Sequence, residues 1–580
     1  MSASRIISVL SRELKFFYAQ RLASFGFGAA KKHCRQLYEP VMPSSVAKKF
    51  DLKIQGEAID FSVAPDWKKD YKTGKVFPEL RFGRFNTNLF FDKGDDIKFP
   101  WDMSRCCFLP VQMAEMAANG ETGAAYSFLK QTTESFIDNN RYLYGVNWVC
   151  TMEVAIRASN WLFAMPLVKS ELQADRNFSN KLDYSLYRHA VYIDMFTEHK
   201  DNNHDISNYA GLILLGIYFN NKKWIKKAVD GLEYEMNKQI LPDGCTYELS
   251  TYYNRLNLEF FATSLYAAKL HGITLSEAYV KRLEKMFAFL TDLTEANGYM
   301  PVINDNDGGR YVIFNDGNEN DFSYINNLYN KLFEPQLKSG VQDVNALFLS
   351  LPEITRIKAV VPEKKAVSEY QNSKFYKLSN DVFTVVVSAA GLDAIHKQGH
   401  KHIDAGSVYI GINGKPAFID PGTSSYTRSL KRRNQERSIG THNTAVPTAK
   451  IDKYTCNGGY WGKLPGYPSI AVNDFSSSAM SLSMEFDGVS LARNIAVGND
   501  RLEITDVSEG QDISAFFHTD IPFSQNGDTL VFNGFSLNSN GGQIKVEDFN
   551  YADNYGKLDN KAYKITIQGN STIKTTITRS

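Results

Sequence analysis

Four short stretches of this 580-residue chain gather side chains that can carry protons or hold an ion. The first is Asp201-Asn202-Asn203-His204, placed directly before the apolar run 206–219. Asn and Asp there suit the N-terminus of a helix, where they cap free backbone N–H groups. The second runs from Asp243-Gly244 through Glu248 to Tyr252-Tyr253, a turn followed by a helix start. The third, Gly399-His400-Lys401-His402-Ile403-Asp404, leads into a strand-turn-strand that ends at Asp420-Pro421-Gly422. The fourth is Arg437-Ser438 with His442-Asn443-Thr444. His396, His400, His402 and His442, four of ten histidines, fall within the last two stretches and the residues just before them. Two imidazoles and a carboxylate suit a closed Zn²⁺ site, so His402, Asp420 and His442 are candidate ligands. Their spacing matches no compact zinc motif, and hydrogen-bonded structural histidines are the alternative.

The elements that must position these residues change in texture once, near residue 365. Before it, helical periodicity predicts helices over 111–118, 124–137, 148–168, 184–196, 206–219, 224–236, 252–270 and 276–293. Turn signals such as Asn119-Gly120, Asp243-Gly244, His271-Gly272 and Asn297-Gly298 separate them. Consecutive helices joined by short loops imply helical hairpins packed side by side. After residue 365 the period becomes two, which predicts strands over 382–388, 407–412, 481–486, 501–507, 529–532 and 563–567. Their regular recurrence argues a sandwich of antiparallel sheets. Residues 351–372, with two prolines and several charges, read as the linker, and 51–63 as an extended stretch draped over the helices. The resulting division is 1–95 as an N-terminal helix and extended segment, 96–360 as the helical domain, and 361–580 as the sandwich.

Composition narrows the function. Sixty-five Lys and Arg against 64 Asp and Glu leave no global field for nucleic acid, so a polyanion would need a local basic cleft. The six cysteines have no metal-ligand spacing and no dense disulfide framework, and read as reduced thiols. No apolar run approaches membrane-spanning length. The N-terminus lacks a secretory signal pattern, and Ile6, Ile7, Leu10, Leu14 and Phe17 suit an amphipathic helix. A cytoplasmic location is the expectation.

Taken in order, these pieces resemble the heparinase II/III-like polysaccharide lyases. The resemblance rests on Pro100-Trp101-Asp102-Met103-Ser104-Arg105, Gly145-Val146-Asn147-Trp148 with Glu153 and Arg157, and the Asn203-His204 segment. It continues through Glu248-x-Ser250-x-x-Tyr253, His400-x-His402-x-Asp404-Ala405, the Asp420-Pro421-Gly422 turn, and Arg437-Ser438 with His442-Asn443-Thr444. It spans roughly residues 95–450 and is specific because independent motifs recur in one order. The resemblance implies an incomplete (α/α) toroid followed by an antiparallel β-sandwich, a bacterial origin, and an acidic polysaccharide or oligosaccharide substrate. It implies that Asn203 and His204 meet the substrate carboxylate and that Tyr253 and His400 handle the proton. It also implies a structural divalent metal, Zn²⁺ favoured, at His402, Asp420 and His442, with no organic cofactor. Arg105, Trp148, Arg157, Glu248, Tyr252 and Arg437, carried by the same motifs, are the candidate substrate-binding side chains. Lys401, Ile403, Asn254 and Asp102 depart from the usual pattern.

The chemistry implied is β-elimination, which begins by removing the C5 proton of a uronate. Neutral donors such as the Asn203 amide and His204 stabilise the enolate-like charge that develops. A phenol with an ordinary pKa of ~10 needs nearby positive charge, or a path for its proton, to act as base. Three other functions use overlapping residues: a uronate C5-epimerase, a glycoside hydrolase using Asp243 and Glu248 as its carboxylate pair, and a non-catalytic glycan-binding protein.

Overall fold

The computed structural model describes residues 3–42, 50–340, 343–392, 399–557 and 560–580, with side chains from residue 13 onward. His396 and the side chains of Ile6, Ile7 and Leu10 lie outside the described residues. The helical half holds Phe108–Ala118, Thr122–Asn139, Thr151–Ala164, Arg176–Met195, Asn203–Tyr218, Lys222–Gln239, Thr251–Leu270 and Glu277–Leu293. Thr151–Ala164 and Thr251–Leu270 are buried around nearly their whole circumference, polar residues such as Glu153, Arg157, Asn254 and Glu259 included, and sit in the middle of the helical core. Among the described residues no helix is long and apolar enough to cross a membrane.

The N-terminal helix Ala3–Ala30 buries a different face from the one its apolar residues suggest. Phe16, Ala19 and Ala23 are buried, while Leu14 and Phe17 are about half exposed. The small stripe lets the helix approach Arg176–Met195 closely, and Phe27 packs on Tyr184 and Tyr187. In the extended stretch, Ile54, Ile59 and Phe61 are buried in the helical core.

Among the described residues the second half contains two antiparallel sheets. Five strands, Val367–Tyr370, Phe375–Ser379, Phe383–Ser388, Ser407–Ile412 and Lys415–Phe418, pair in chain order. The larger sheet centres on the long strand Asn560–Arg579, which pairs with Phe535–Tyr551 along one edge and with both Arg501–Val507 and Ile513–Thr519 along the other. Gly569 meets Gly541 where Phe535–Tyr551 shifts register, and a side chain at Gly569 would overlap the Gly541 carbonyl. The expected linker is structured in part: Ile357–Lys358 pairs with Phe333–Glu334, and Val367–Tyr370 is the first strand of the five-stranded sheet.

That sheet is buried on both faces. Val385 and Val387 point into the core between the sheets, whereas Val386 points into the helical core. Leu378 and Phe375 divide the same way. The alternation of period two is therefore hydrophobic throughout, and the sandwich is seated on the helices by one face of a sheet. Polar contacts complete the seating. Lys377 donates to Asp292, which also accepts from Ser368 and Tyr370.

Candidate functional site

Where the sandwich meets the helices, a cleft of about 670 Å³ opens. Each wall comes from a different part of the chain. Asn203 and His204 occupy the first turn of Asn203–Tyr218. The cap itself is Asn202, whose side chain accepts from the His204 N–H at 3.1 Å. The capping expectation and the presentation of Asn203 and His204 to the cleft are thus both met, by adjacent residues. Tyr253 occupies the first turn of Thr251–Leu270, where Ser250 caps its N–H at 3.1 Å. Asp201, Leu249 and Asn304, each beside one of these segments, have φ of 52°, 56° and 63°. Asp and Asn adopt left-handed backbone readily, but for Leu249 it costs about 1–3 kcal/mol, and such strain concentrates where geometry serves a site.

The sandwich contributes His400, whose imidazole stacks on the Tyr253 ring with centroids 4.0 Å apart. His400 Nδ1 is 2.8 Å from Asp305 Oδ2, and its Nε2 is 3.8 Å from Glu248 Oε1. The Tyr253 hydroxyl is 2.8 Å from that of Tyr426, which lies 3.4 Å from His400 Nδ1. Asp305 is the hub. It also accepts from His402 at 2.7 Å, from Thr423 at 3.1 Å and from both terminal nitrogens of Arg433 at 2.5 and 2.7 Å. Apart from His400, whose side chain keeps 12% of its surface exposed at the cleft, these groups are buried.

The electrostatics follow from that burial. Desolvation alone would raise Asp305, but Arg433 and the two histidines overcome it and hold the carboxyl well below its usual range. Burial pushes the Tyr253 phenol well above 10, reinforced by Asp307 and Asp305, so at rest it keeps its proton. Burial raises Glu248 as well, opposed by the His400 imidazole 3.8 Å from its Oε1. The Asn203 side-chain oxygen is buried with no hydrogen-bond partner among the described residues.

Arg105 and Glu248 line the cleft together with Asn203, His204, Tyr253 and His400. The Arg105 guanidinium is committed to Glu153, at 2.6 and 2.9 Å, and to Asp102 at 3.0 Å. Four expected substrate-binding residues lie outside the cleft lining. Trp148 is packed edge-on among Tyr142 and Tyr192, and Arg157 lies against the Phe136 and Trp148 rings while donating to His189. Tyr252 packs on Phe322 and donates to Asn320. Arg437 is buried and donates to the carbonyls of Lys401 and Gly462, bracing the backbone that carries His400. Their large, polar side chains fill the core between elements rather than reaching the opening. Asp243 is also displaced from the cleft. Its carboxylate accepts from Asn372 and Ser373 at 2.8–3.0 Å and pins the sandwich, so it is unavailable as a partner for Glu248 across a glycosidic bond.

Sequence reading missed Asp305, Tyr426, Arg433, Phe91 and Trp461. The run Asn304-Asp305-Asn306-Asp307-Gly308 was the available signal for the first. Phe91, Trp101 and Trp461 give the cleft an aromatic lining.

Among the described residues, two groups have the composition and spacing to hold a metal ion: His402 with Asp420 and His442, and Cys150 with Glu198 and His204. In the first, His442 Nδ1 is 2.6 Å from Asp420 Oδ2. His402 Nδ1 and His442 Nε2 are both buried without a partner, as ligand nitrogens awaiting an ion would be. Burial pushes His402 down to about 4, leaving the neutral imidazole that metal ligation requires. The residues fit a divalent metal.

A profile of the heparinase II/III N-terminus matches residues 60–323, and one of the heparinase II/III-like C-terminal region matches 362–579. A heparin-sulfate lyase of Bacteroides stercoris is 24% identical over 276 residues, 45% of this chain, and the match spans only 37% of that relative's length. The fold is similar to a crystal structure of heparinase III, with a TM-score of 0.66 at 15% identity, covering 98% of this chain and 91% of that one. It is also similar to a heparan sulfate lyase from Pedobacter heparinus (TM-score 0.54, 14% identity, 97% and 88% covered). A chondroitin AC lyase of Streptomyces coelicolor A3 is similar too (TM-score 0.52, 11% identity, 83% and 75% covered). The helical domain followed by antiparallel sheets has the toroid-and-sandwich architecture of these structures. With both halves matched in one order, the chain belongs to the heparinase II/III family.

Proposed function

We propose that this chain is a polysaccharide lyase that cleaves a uronic-acid-containing glycan by β-elimination, leaving an unsaturated uronate end. The observation that carries the reading is the convergence, in one cleft, of Asn203 and His204 with the stacked pair Tyr253 and His400. The uronate carboxylate docks against Asn203 and His204, whose donors stabilise the charge that develops as the C5 proton leaves. His400 is oriented through Nδ1 by Asp305 and presents its other nitrogen; burial alone would lower the imidazole, but Asp305 and Glu248 raise it, which stabilises the imidazolium formed when the neutral ring accepts that proton. Tyr253, a phenol protonated at rest, delivers a proton to the departing glycosidic oxygen. Because the two rings stack, both transfers are made from one wall of the cleft. Phe91, Trp101 and Trp461 offer faces for sugar rings.

His402, Asp420 and His442 would hold a structural ion, with Zn²⁺ favoured by two imidazoles and a carboxylate. Such an ion supplies cross-linking rather than reactivity. These residues fix the turn from which His400 projects.

The experiment is a panel of uronate polysaccharides read by ultraviolet absorbance, since elimination creates a conjugated double bond. Absorbance rising with chain shortening supports the reading. Deuterium uptake from solvent without shortening would replace it with C5-epimerisation, and new reducing ends without absorbance would replace it with hydrolysis.

A further inference from the structure

We propose that Cys150, Glu198 and His204 form a second, cleft-facing site for a thiophilic divalent cation such as Zn²⁺, with a fourth position open to the cleft. The three side chains come from separate segments. Cys150 precedes Thr151–Ala164, Glu198 lies in the loop after Arg176–Met195, and His204 is in the first turn of Asn203–Tyr218. His204 Nδ1 is 3.1 Å from Glu198 Oε2 and 3.5 Å from Cys150 Sγ. A tetrahedral ion with bonds of about 2.0–2.3 Å has ligand-to-ligand edges of roughly 3.3–3.7 Å. The two measured edges therefore sit near those of a metal site, and all three donor atoms lie within 4.8 Å of one another.

The donor types favour a borderline-soft ion. Thiolate and imidazole select Zn²⁺ or Co²⁺ over Mg²⁺ and Ca²⁺, which prefer oxygen. Cys150 and His204 line the cleft, so the remaining coordination position faces a water or a ligand oxygen there. One resident charge competes. Lys200 Nζ sits 2.7 Å from Glu198 Oε1 and 3.3 Å from His204 Nδ1. The Lys200 side chain is half exposed and can rotate into solvent as the ion enters. Glu198 Oε2 also accepts from the Met152 N–H at 3.2 Å, which orients the carboxylate toward the other two donors. On binding, the Cys150 S–H bond breaks, the sulfur keeps the electron pair as the metal ligand, and the proton passes to solvent.

The test is Co²⁺ titration of the full chain. Thiolate ligation produces a sulfur-to-cobalt charge-transfer band in the near ultraviolet, and the His402, Asp420 and His442 group contains no sulfur. A band that saturates with one equivalent and is displaced by Zn²⁺ is expected. Cys150→Ser should abolish it, and His204→Ala should weaken binding about tenfold or more. Lys200→Met should tighten binding roughly tenfold by removing the competing ammonium. No band at millimolar Co²⁺, a band that survives Cys150→Ser, or an affinity unchanged in Lys200→Met overturns the proposal. Absorbance and not turnover is read, so the outcome is independent of the lyase reading.

Discussion

The imidazole of His400 lies nearly flat on the phenol of Tyr253, with ring planes 29° from parallel and centres 4.0 Å apart. One ring belongs to a helix of the first half of the chain and the other to a loop of the second. The proposed proton transfers depend on this contact between domains.

Tyr253→Phe should remove nearly all turnover, a loss of about 10²–10⁴-fold for a proton-transfer group. The ring and its stacking on His400 remain, so Tm and glycan binding should change little. Tyr426→Phe deletes the neighbouring hydroxyl and serves as the comparison. Activity of Tyr253→Phe within a few-fold of the parent would move the proton to His400 alone.

Adjacent asparagines separate charge stabilisation from capping. Asn203→Ala should lower kcat by about 10²–10³ with little change in KM, as loss of a donor to developing charge does. Asn202→Ala should instead cost about 1 kcal/mol of stability through loss of the helix cap. Kinetics and thermal melts on the two variants check the division, and a pure KM effect at Asn203 would count against it.

Asp305→Asn should damage both stability and activity. It leaves the buried Arg433 guanidinium without its carboxylate, and breaking a buried ion pair from one side costs about 3–5 kcal/mol. It also releases the orientation of His400. A melting temperature close to that of the parent would show that Asp305 is not the hub described here.

His402→Ala should lower the melting temperature and the bound metal together, because a lost ligand at a structural site forfeits folding energy. His400→Ala should lower activity with far less effect on melting. Metal analysis of protein prepared without chelator or a metal-binding tag decides the case. Fully active protein that carries no metal would refute the structural ion and leave the proton-transfer residues untouched.

Glu319 gives a pH signature in the acid range. Burial lifts its carboxyl from 4.5 to about 7, and Asp102 and Asp307 add to the rise, while Arg255 and Lys98 oppose it. Between those values the native state holds a proton that the unfolded chain has released. Its contribution to stability is therefore complete below pH ~4.5 and is lost as pH rises through about 7. Glu319→Gln should flatten the dependence of melting temperature on pH across that window. An unchanged slope would assign the dependence to other groups.

The helices and strands were legible because their periods of 3.6 and two survive in the sequence at nearly every element. Asn203, His204, Tyr253 and His400 were legible because motif spacing brings each to the start of a helix or the end of a loop. The hub was not. Asp305 meets His400, His402 and Arg433 across 95, 97 and 128 residues, and no local pattern encodes a contact of that range. That Trp148, Arg157, Tyr252 and Arg437 lie outside the cleft lining was not legible either, for the opposite reason. Their types suit a sugar or a carboxylate, but their neighbours enclose them, and enclosure is a property of tertiary packing.

The five-stranded sheet, buried on both faces, carries a consequence for how the protein matures. Neither half can complete its hydrophobic burial alone, and neither half holds all of the reactive side chains. A chain caught with its second half unfolded, or clipped between the halves, would be inert as well as sticky. On the proposed reading, elimination at the cleft is thereby withheld until the two halves have closed on each other.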